Sequence, residues 1–264
     1  RRPIWSRKRW AAGRDLEQPH EKTGSEGMNF TPMAATFAGT DLVGIAGERA
    51  VCDPRGVLYF PDFGLLAVSD LHLEKGSSLA RRGALIPPYD TGATLLRLQA
   101  AIADYQPAIV VSLGDSFHDG GGAERMHRSF RERLEGLMAG REWFWIAGNH
   151  DPEAPADLPG ETVRELAIGS LVFRHEPSRV RVEGEISGHL HPCARIVQRG
   201  RSVRRRCFAG DGGRMIMPAF GAYTGSLNVL DRAYAGLFRA ETLMAYMLGA
   251  ERIFAISRAM LRPG

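Results

Sequence analysis

Cysteine is scarce in this chain of 264 residues: only Cys52, Cys193 and Cys207 occur. The number is odd and no Cys-x-x-Cys spacing appears, which excludes a disulfide scaffold and points to buried, inert thiols in a reducing, cytoplasmic compartment. Long apolar runs are missing too. The longest are strand-sized segments such as Ala108 to Val111 and Trp143 to Ala147, far short of the roughly 18 residues that a membrane span needs. Three common enzyme signatures are also absent: the phosphate-binding Gly-x4-Gly-Lys-Ser/Thr, the dinucleotide-binding Gly-x-Gly-x-x-Gly and the Gly-x-Ser-x-Gly elbow. With 44% apolar and 24% charged residues, 31 Gly and 15 Pro, the composition excludes collagen and wholesale disorder and fits one globular catalytic domain.

The formal charge is +4, and its location matters more than its size. Residues 1–27 carry seven Lys/Arg against four acids, whereas the remainder holds 27 bases against 26 acids. The body is therefore nearly neutral, and overall charge does not identify a partner. The first 27 residues lack both a leader-length apolar stretch and hydrophobic periodicity, so they read as a flexible basic arm that need not belong to the native protein. Met28 can serve as a start, with residues 28–264 forming the domain.

From Gly56 onward strand-like and helix-like segments alternate. Val57 to Phe60 and Leu65 to Val68 flank a Pro61-Asp-Phe-Gly64 turn and read as a hairpin. Leu95, Leu98, Ile102 and Tyr105 share one face of a helix expected over 91–105, capped by Asp90 or Thr91 and ended by Pro107. Ala108 to Leu113 is an apolar run suited to a strand buried on both faces. A second helix is expected over 123–138 and another buried strand over 142–147, completing a βαβαβ pattern. Trp143 and Trp145 on that strand read as core. Beyond residue 160 short strands follow closely (171–174, 184–187, 194–198, 203–208, 215–217 and 227–230), suggesting a second, mostly antiparallel sheet. The Ala-, Leu- and Met-rich stretch 233–248 reads as a helix, with a final strand over 252–256.

Residues able to hold metals recur where each expected strand ends: Asp70-Leu-His72, Gly114-Asp115, Gly148-Asn-His-Asp151, His175 and Gly188-His-Leu-His191. Five of the eight histidines fall in this set. In open α/β sheets ligands gather beyond the carboxyl ends of strands. In extended chain, Asp-x-His and His-x-His each send both side chains to one face, so each pair can converge on one ion.

These blocks, in this order, resemble the calcineurin-like metallophosphoesterase superfamily, from about Leu65 to Pro192. The resemblance implies an α/β fold, a four-layer α/β/β/α sandwich of two mixed sheets flanked by helices, and a centre with two divalent ions. One ion would take Asp70, His72, Asp115 and His191; the other would take Asp115, Asn149, His175 and His189, with Asp115 bridging. The mixed imidazole, carboxylate and amide donors suit Mn, Fe, Co, Zn or Ni, and the resemblance favours Mn2+. Two ions would hold a bridging hydroxide for in-line attack on phosphorus. His150 would protonate the leaving oxygen as general acid, oriented by Asp151.

Longer strings narrow the resemblance: Ser69-Asp-Leu-His-Leu-Glu-Lys-Gly76, Gly114-Asp-Ser-Phe-His-Asp119, His175-Glu-Pro177, Gly188-His-Leu-His-Pro192 and Pro218-Ala-Phe-Gly-Ala-Tyr-Thr-Gly225. Together they are similar to the PdeM group, the ligase-associated DNA damage response endonucleases. That similarity implies nicking of DNA, preferably single-stranded, and functional association with ligase and helicase repair proteins. His118 would contact the scissile phosphate or the leaving group. Arg195, Arg204 and Arg206, in a dense basic stretch just after His191, would track the nucleic-acid backbone. Lys75, Arg81 and Arg82 would sit on a loop over the site, and Phe220 and Tyr223 are candidates for stacking on bases. The rival classes are a phosphoesterase acting on a small nucleotide or lipid-linked phosphoester and a protein phosphatase.

Overall fold

The computed structural model describes residues 42–84, 87, 89–152 and 157–264; the arm expected over 1–27 lies outside them. The first sheet runs in sequence order: β1 (Leu42–Ile45), β2 (Glu48–Cys52), β3 (Leu58–Phe60), β4 (Leu65–Val68), β5 (Ile109–Ser112), β6 (Glu142–Ile146) and β7 (Glu161–Val163). Its first four strands form an antiparallel meander, and β4 to β7 are parallel. The crossovers between the parallel strands carry the helices α1 (Lys75–Arg81), α2 (Asp90–Tyr105), α3 (Gly122–Arg125) and α4 (Arg128–Met138).

Period-two alternation builds the two cores. On β4, Leu65 and Ala67 face one apolar cluster while Leu66 and Val68 face another; on β5, Val111 and Val110 divide in the same way. Strands buried on both faces read as continuous apolar runs for this reason. The helix-side cluster joins Trp143 and Trp145 to Leu95, Leu98 and Ile102 of α2 and to Leu134 and Leu137 of α4. Burying each such side chain contributes about 1.5–3 kcal/mol.

The second sheet contains β8 (Glu165–Ile168), β9 (Leu171–Arg174), β10 (Glu185–Ser187), β11 (Pro192–Gln198), β12 (Arg201–Gly210), β13 (Arg214–Ile216), β14 (Leu227–Asn228), β15 (Met244–Leu248) and β16 (Ile253–Ser257). It is mixed, with antiparallel pairing in the majority as expected: β8–β9, β11–β12, β12–β13, β12–β15 and β15–β16 are antiparallel, whereas β9, β10 and β13 run parallel, as do β11 and β14. Phe173, Ile186, Phe208 and Met215 pack against Phe60, Leu65 and Val111 of the first sheet, filling the space between the two. The result is an α/β architecture of two mixed sheets with helices.

Four sequence expectations change. The stretch 233–248 is not a helix. Arg232–Tyr234 is a single 3-10 turn capped by Asp231, Gly236 adopts φ +76°, and β15 is held between β12 and β16, with Ala245 and Met247 buried at period two. Pairing on both edges outweighs the helical preference of Ala, Leu and Met. The outer face of the second sheet is therefore covered by this turn and its loop, through Tyr234, Leu237 and Val229. The helix expected over 123–138 breaks at Met126, which is extended, and restarts where His127 Nδ1 accepts the Ser129 N–H. Asp90 and Thr91 do not cap α2. Their side chains instead accept the backbone N–H groups of Gly76 and Glu74, tying the start of α1 to α2, so Lys75 and Arg81 lie on a helix rather than a loop. All three cysteines are buried. Among the described residues no helix is long and apolar enough to cross a membrane.

Candidate metal centre

The carboxyl ends of β4, β5, β6, β9 and β10 deliver, in turn, Asp70, Asp115, Asn149, His175 and His189. Two groups form, with ligand atoms within 4.8 Å of one another in each: Asp70, His72 and His191, and Asp115, His175 and His189. The two histidines of Gly188-His-Leu-His191 thus part, one to each group, rather than converging on one point. Backbone conformation explains the departure from the extended geometry expected. Asp70, His72, Asp115, His189 and His191 all have left-handed φ, between +42° and +67°. Such conformations cost on the order of 1–3 kcal/mol each in non-glycine residues and persist only where the surroundings enforce them.

Those surroundings are specific. The N–H groups of Asp70, His72 and Leu73 donate to the carbonyls of Gly114, Asp115 and Ser116, lacing the first two loops together. The His189 N–H donates to Asp70 Oδ2 at 3.1 Å, and the Ser69 hydroxyl also contacts that oxygen. A Cβ on Gly188 would collide with Ser69 Oγ, and one on Gly148 with the backbone of Asp115. Glycine at these two places lets the loops close on the carboxylates.

The imidazoles are oriented as ligands are. His175 Nδ1 lies 2.8 Å from the Leu113 carbonyl, which can only accept, so the proton sits there and Nε2 carries the lone pair. That Nε2 is 3.4 Å from Asp115 Oδ1 and 3.2 Å from His189 Nδ1. His191 Nε2 is 3.1 Å from Asp70 Oδ1, and His72 Nε2 is 3.8 Å from Asp115 Oδ2. His72 Nδ1 and His191 Nε2 are buried without a hydrogen-bond partner. Histidine nitrogens and carboxylate oxygens gathered within 4.8 Å of one another in each group, with imidazole nitrogens left unpartnered in the interior, fit cation ligands, and the mixed donor set suits divalent transition metals.

Electrostatics follow from burial. Desolvation lowers the His72 pKa to about 4, outweighing the carboxylates of Asp70 and Asp115. Burial, followed by the neighbouring His175, lowers that of His189. Burial opposes ionisation of Asp70, but His191 outweighs it and holds the carboxyl below the usual range. Burial, with Asp115 adding to it, pushes Asp151 up to about 7.

Beside these groups, His150 Nδ1 donates to the His118 carbonyl at 3.0 Å, and the two rings stack at 5.2 Å. His150 Nε2 lies 3.9 Å from Asp115 Oδ2, and 47% of the side chain is exposed. Asp151 makes no hydrogen bond or ion pair with the His150 ring. Its Oδ2 accepts the N–H groups of Ser116 and Phe117 and braces the Asp115 loop from behind. Burial lowers the His118 pKa, and the charges of Lys75 and Arg82 reinforce the shift, so cationic side chains stand near this histidine.

The structure separates the arginines. Arg206 is not free to meet a ligand: half-buried, it donates to the Ala219 and Gly221 carbonyls, in the loop whose Phe220 and Gly221 N–H groups hold Ser69 and Asp70. Arg204 is exposed and donates to the Ser226 carbonyl, while Arg195, its cross-strand partner, reaches Ser202 and Pro263. Phe220 is fully buried in the helix-side core beneath the Arg97 guanidinium, and the Tyr223 hydroxyl donates to the Pro87 carbonyl. Glu176, which accepts the Asn149 Nδ2 proton at 2.6 Å, was missed by sequence reasoning. Its only signal was its place in the His175-Glu-Pro177 string.

The family model for calcineurin-like phosphoesterases matches residues 63–213, a span that contains every residue of both groups. The chain belongs to this family and is a hydrolase of phosphoric esters. Among solved structures it is similar to a Pseudomonas putida nuclease designated MPE, with 25% identity and a TM-score of 0.63 over 81% of this chain and 98% of the other. It is also similar to Yfce, a phosphoesterase from E. coli, with 15% identity and a TM-score of 0.36 over 73% and 98%. No curated protein sequence matches significantly.

Proposed function

We propose that this chain is a two-metal phosphodiesterase that nicks DNA, preferentially single-stranded, in a repair setting. Residues 28–264 act as one domain, Mn2+ is the working metal, and the enzyme operates in the cytoplasm alongside ligase and helicase repair proteins. The observation that carries this reading is the pair of donor groups meeting at Asp115 beside a half-exposed histidine. The likeness to a nuclease over nearly the whole of that protein supports nucleic acid as the substrate.

In this reading Asp70, His72 and His191 hold one ion, His175, His189 and Asn149 hold the other, and Asp115 serves both. When bound, the ions would supply the activated water and the Lewis acidity that phosphoester cleavage requires. The chain's own residues do the rest. The His118 carbonyl fixes the His150 ring, leaving Nε2 as the atom that presents a proton to the departing oxygen. His118 stacks on that ring and lines the same edge, where it can contact the phosphate. Lys75 and Arg82 add the positive potential that draws a polyanion in, and Arg204 and Arg195 extend it along the β11–β12 hairpin.

The test is cleavage of circular single-stranded DNA by metal-stripped protein resupplied with Mn2+, with His189→Ala and His118→Ala alongside. The proposal predicts linear product from the wild type and none from His189→Ala. Intact circles together with hydrolysis of a generic aryl phosphodiester would move the substrate to small nucleotide or lipid-linked esters. Hydrolysis of phosphoserine peptides alone would make the enzyme a protein phosphatase.

A further inference from the structure

The mechanism above gives no task to the glutamate of the His175-Glu-Pro177 string. Glu176 follows a residue of the second donor group, accepts the Asn149 Nδ2 proton at 2.6 Å, and lies near enough for its charge to be felt at His189. It therefore stands at the junction of three of the four residues assigned to one ion.

A primary amide has two chemically different arms, and only the oxygen can ligate a divalent cation. Nothing in the asparagine side chain itself selects which arm faces the metal. A carboxylate has no proton to give, so the arm of Asn149 that faces Glu176 must be the nitrogen, and the oxygen is left on the opposite side. The opposite flip would set the amide oxygen against a carboxylate that has no proton to share, so the two flip states are not equivalent.

We propose that Glu176 is a positioning residue for the second ion: by capturing the amide nitrogen it fixes Asn149 in the flip state that offers Oδ1 as a ligand. The inference rests on the two-ion reading above. Partners that orient ligands in this way typically change metal affinity by 10–100-fold when removed.

The experiment is calorimetric titration of metal-stripped protein with MnCl2, scored as two binding events, together with the melting temperature of each metal-free variant. Glu176→Ala should weaken one event by about 10–100-fold, leave the other near wild type and leave the metal-free melting temperature unchanged. Glu176→Gln, which keeps an oxygen acceptor, should lose less. Asn149→Asp alone should bind poorly, because it sets two carboxylates against each other. Combined with Glu176→Ala it should recover most of the lost affinity, since a carboxylate has no wrong arm. The proposal is overturned if Glu176→Ala binds both ions like the wild type, or if Asn149→Asp deepens the defect of Glu176→Ala. Failure of the wild type to bind two ions would overturn the two-ion reading itself, and this proposal with it.

Discussion

The imidazole of His150 is anchored by the backbone of His118: Nδ1 donates to the His118 carbonyl at 3.0 Å, while the His150 N–H donates to Asp115 Oδ1 at 2.9 Å. The ring is held at both ends of its residue, and its free nitrogen faces the carboxylate shared by the two donor groups. In the function proposed above, this arrangement suits a proton donor beside the donor groups rather than a ligand within them.

Replacing His150 with Ala should therefore lower kcat on DNA by about 10²–10⁴-fold with little change in KM. On bis(p-nitrophenyl) phosphate, whose leaving group departs without a proton, the loss should be far smaller. Steady-state kinetics on the two substrates decide the matter. An equal loss on both would mean that His150 supports the site without moving a proton.

Arg204 and Arg206 stand two residues apart on one strand face and should behave differently. Arg204→Ala should raise KM for DNA and reduce the slope of log affinity against log salt by roughly one, while leaving aryl-ester hydrolysis unchanged. Arg206→Ala removes the brace on the Ala219–Gly221 carbonyls. It should cost roughly 1–3 kcal/mol of stability and depress both activities together. Salt-dependent binding and urea denaturation of the two variants separate these outcomes, and a change of salt slope in Arg206→Ala alone would reverse the assignment.

Asp211 should make one corner of the fold sensitive to acid. Burial opposes its ionisation, but Arg181 at 2.7 Å and the N–H groups of Arg239, Gly213 and Arg214 prevail, lowering its pKa from 3.8 to about 2. Because the folded value lies below the ordinary one, the stabilisation is complete above the ordinary value and is lost as pH falls through the folded one. At neutral pH it amounts to about 2 kcal/mol. Urea denaturation between pH 6 and pH 2 should show the wild type's advantage over Asp211→Asn shrinking toward zero. An advantage that does not vary with pH would mean that the carboxylate's charge is not what stabilises this corner.

The parts of the fold legible in the sequence are those where one local rule prevails. The apolar runs of β4, β5 and β6 declare burial on both faces, and the face shared by Leu95, Leu98 and Ile102 declares α2. The donor residues announce themselves by chemical type at strand ends. Tertiary pairing overrides local preference in β15, where an Ala- and Met-rich segment becomes a strand because both its neighbours offer edges. Arg206 was unreadable for a related reason: its partners are carbonyls 13 and 15 residues away, and a carbonyl leaves no trace in residue identity. The left-handed conformations of Asp70, His72 and His191 were equally hidden, since no glycine marks them.

Those left-handed residues bear on any attempt to move the centre elsewhere. Copying the donor side chains onto another α/β scaffold would transfer the chemistry without the restraint, and each loop would relax to an ordinary conformation with its ligand turned aside. The portable unit is larger: the donors, the glycines at 148 and 188, the hydrogen bonds lacing residues 70–73 to 114–116, and the arginine at 206 that holds the 219–221 loop down. In this protein the candidate donors are the visible part of a site whose shape is stored in the backbone around them.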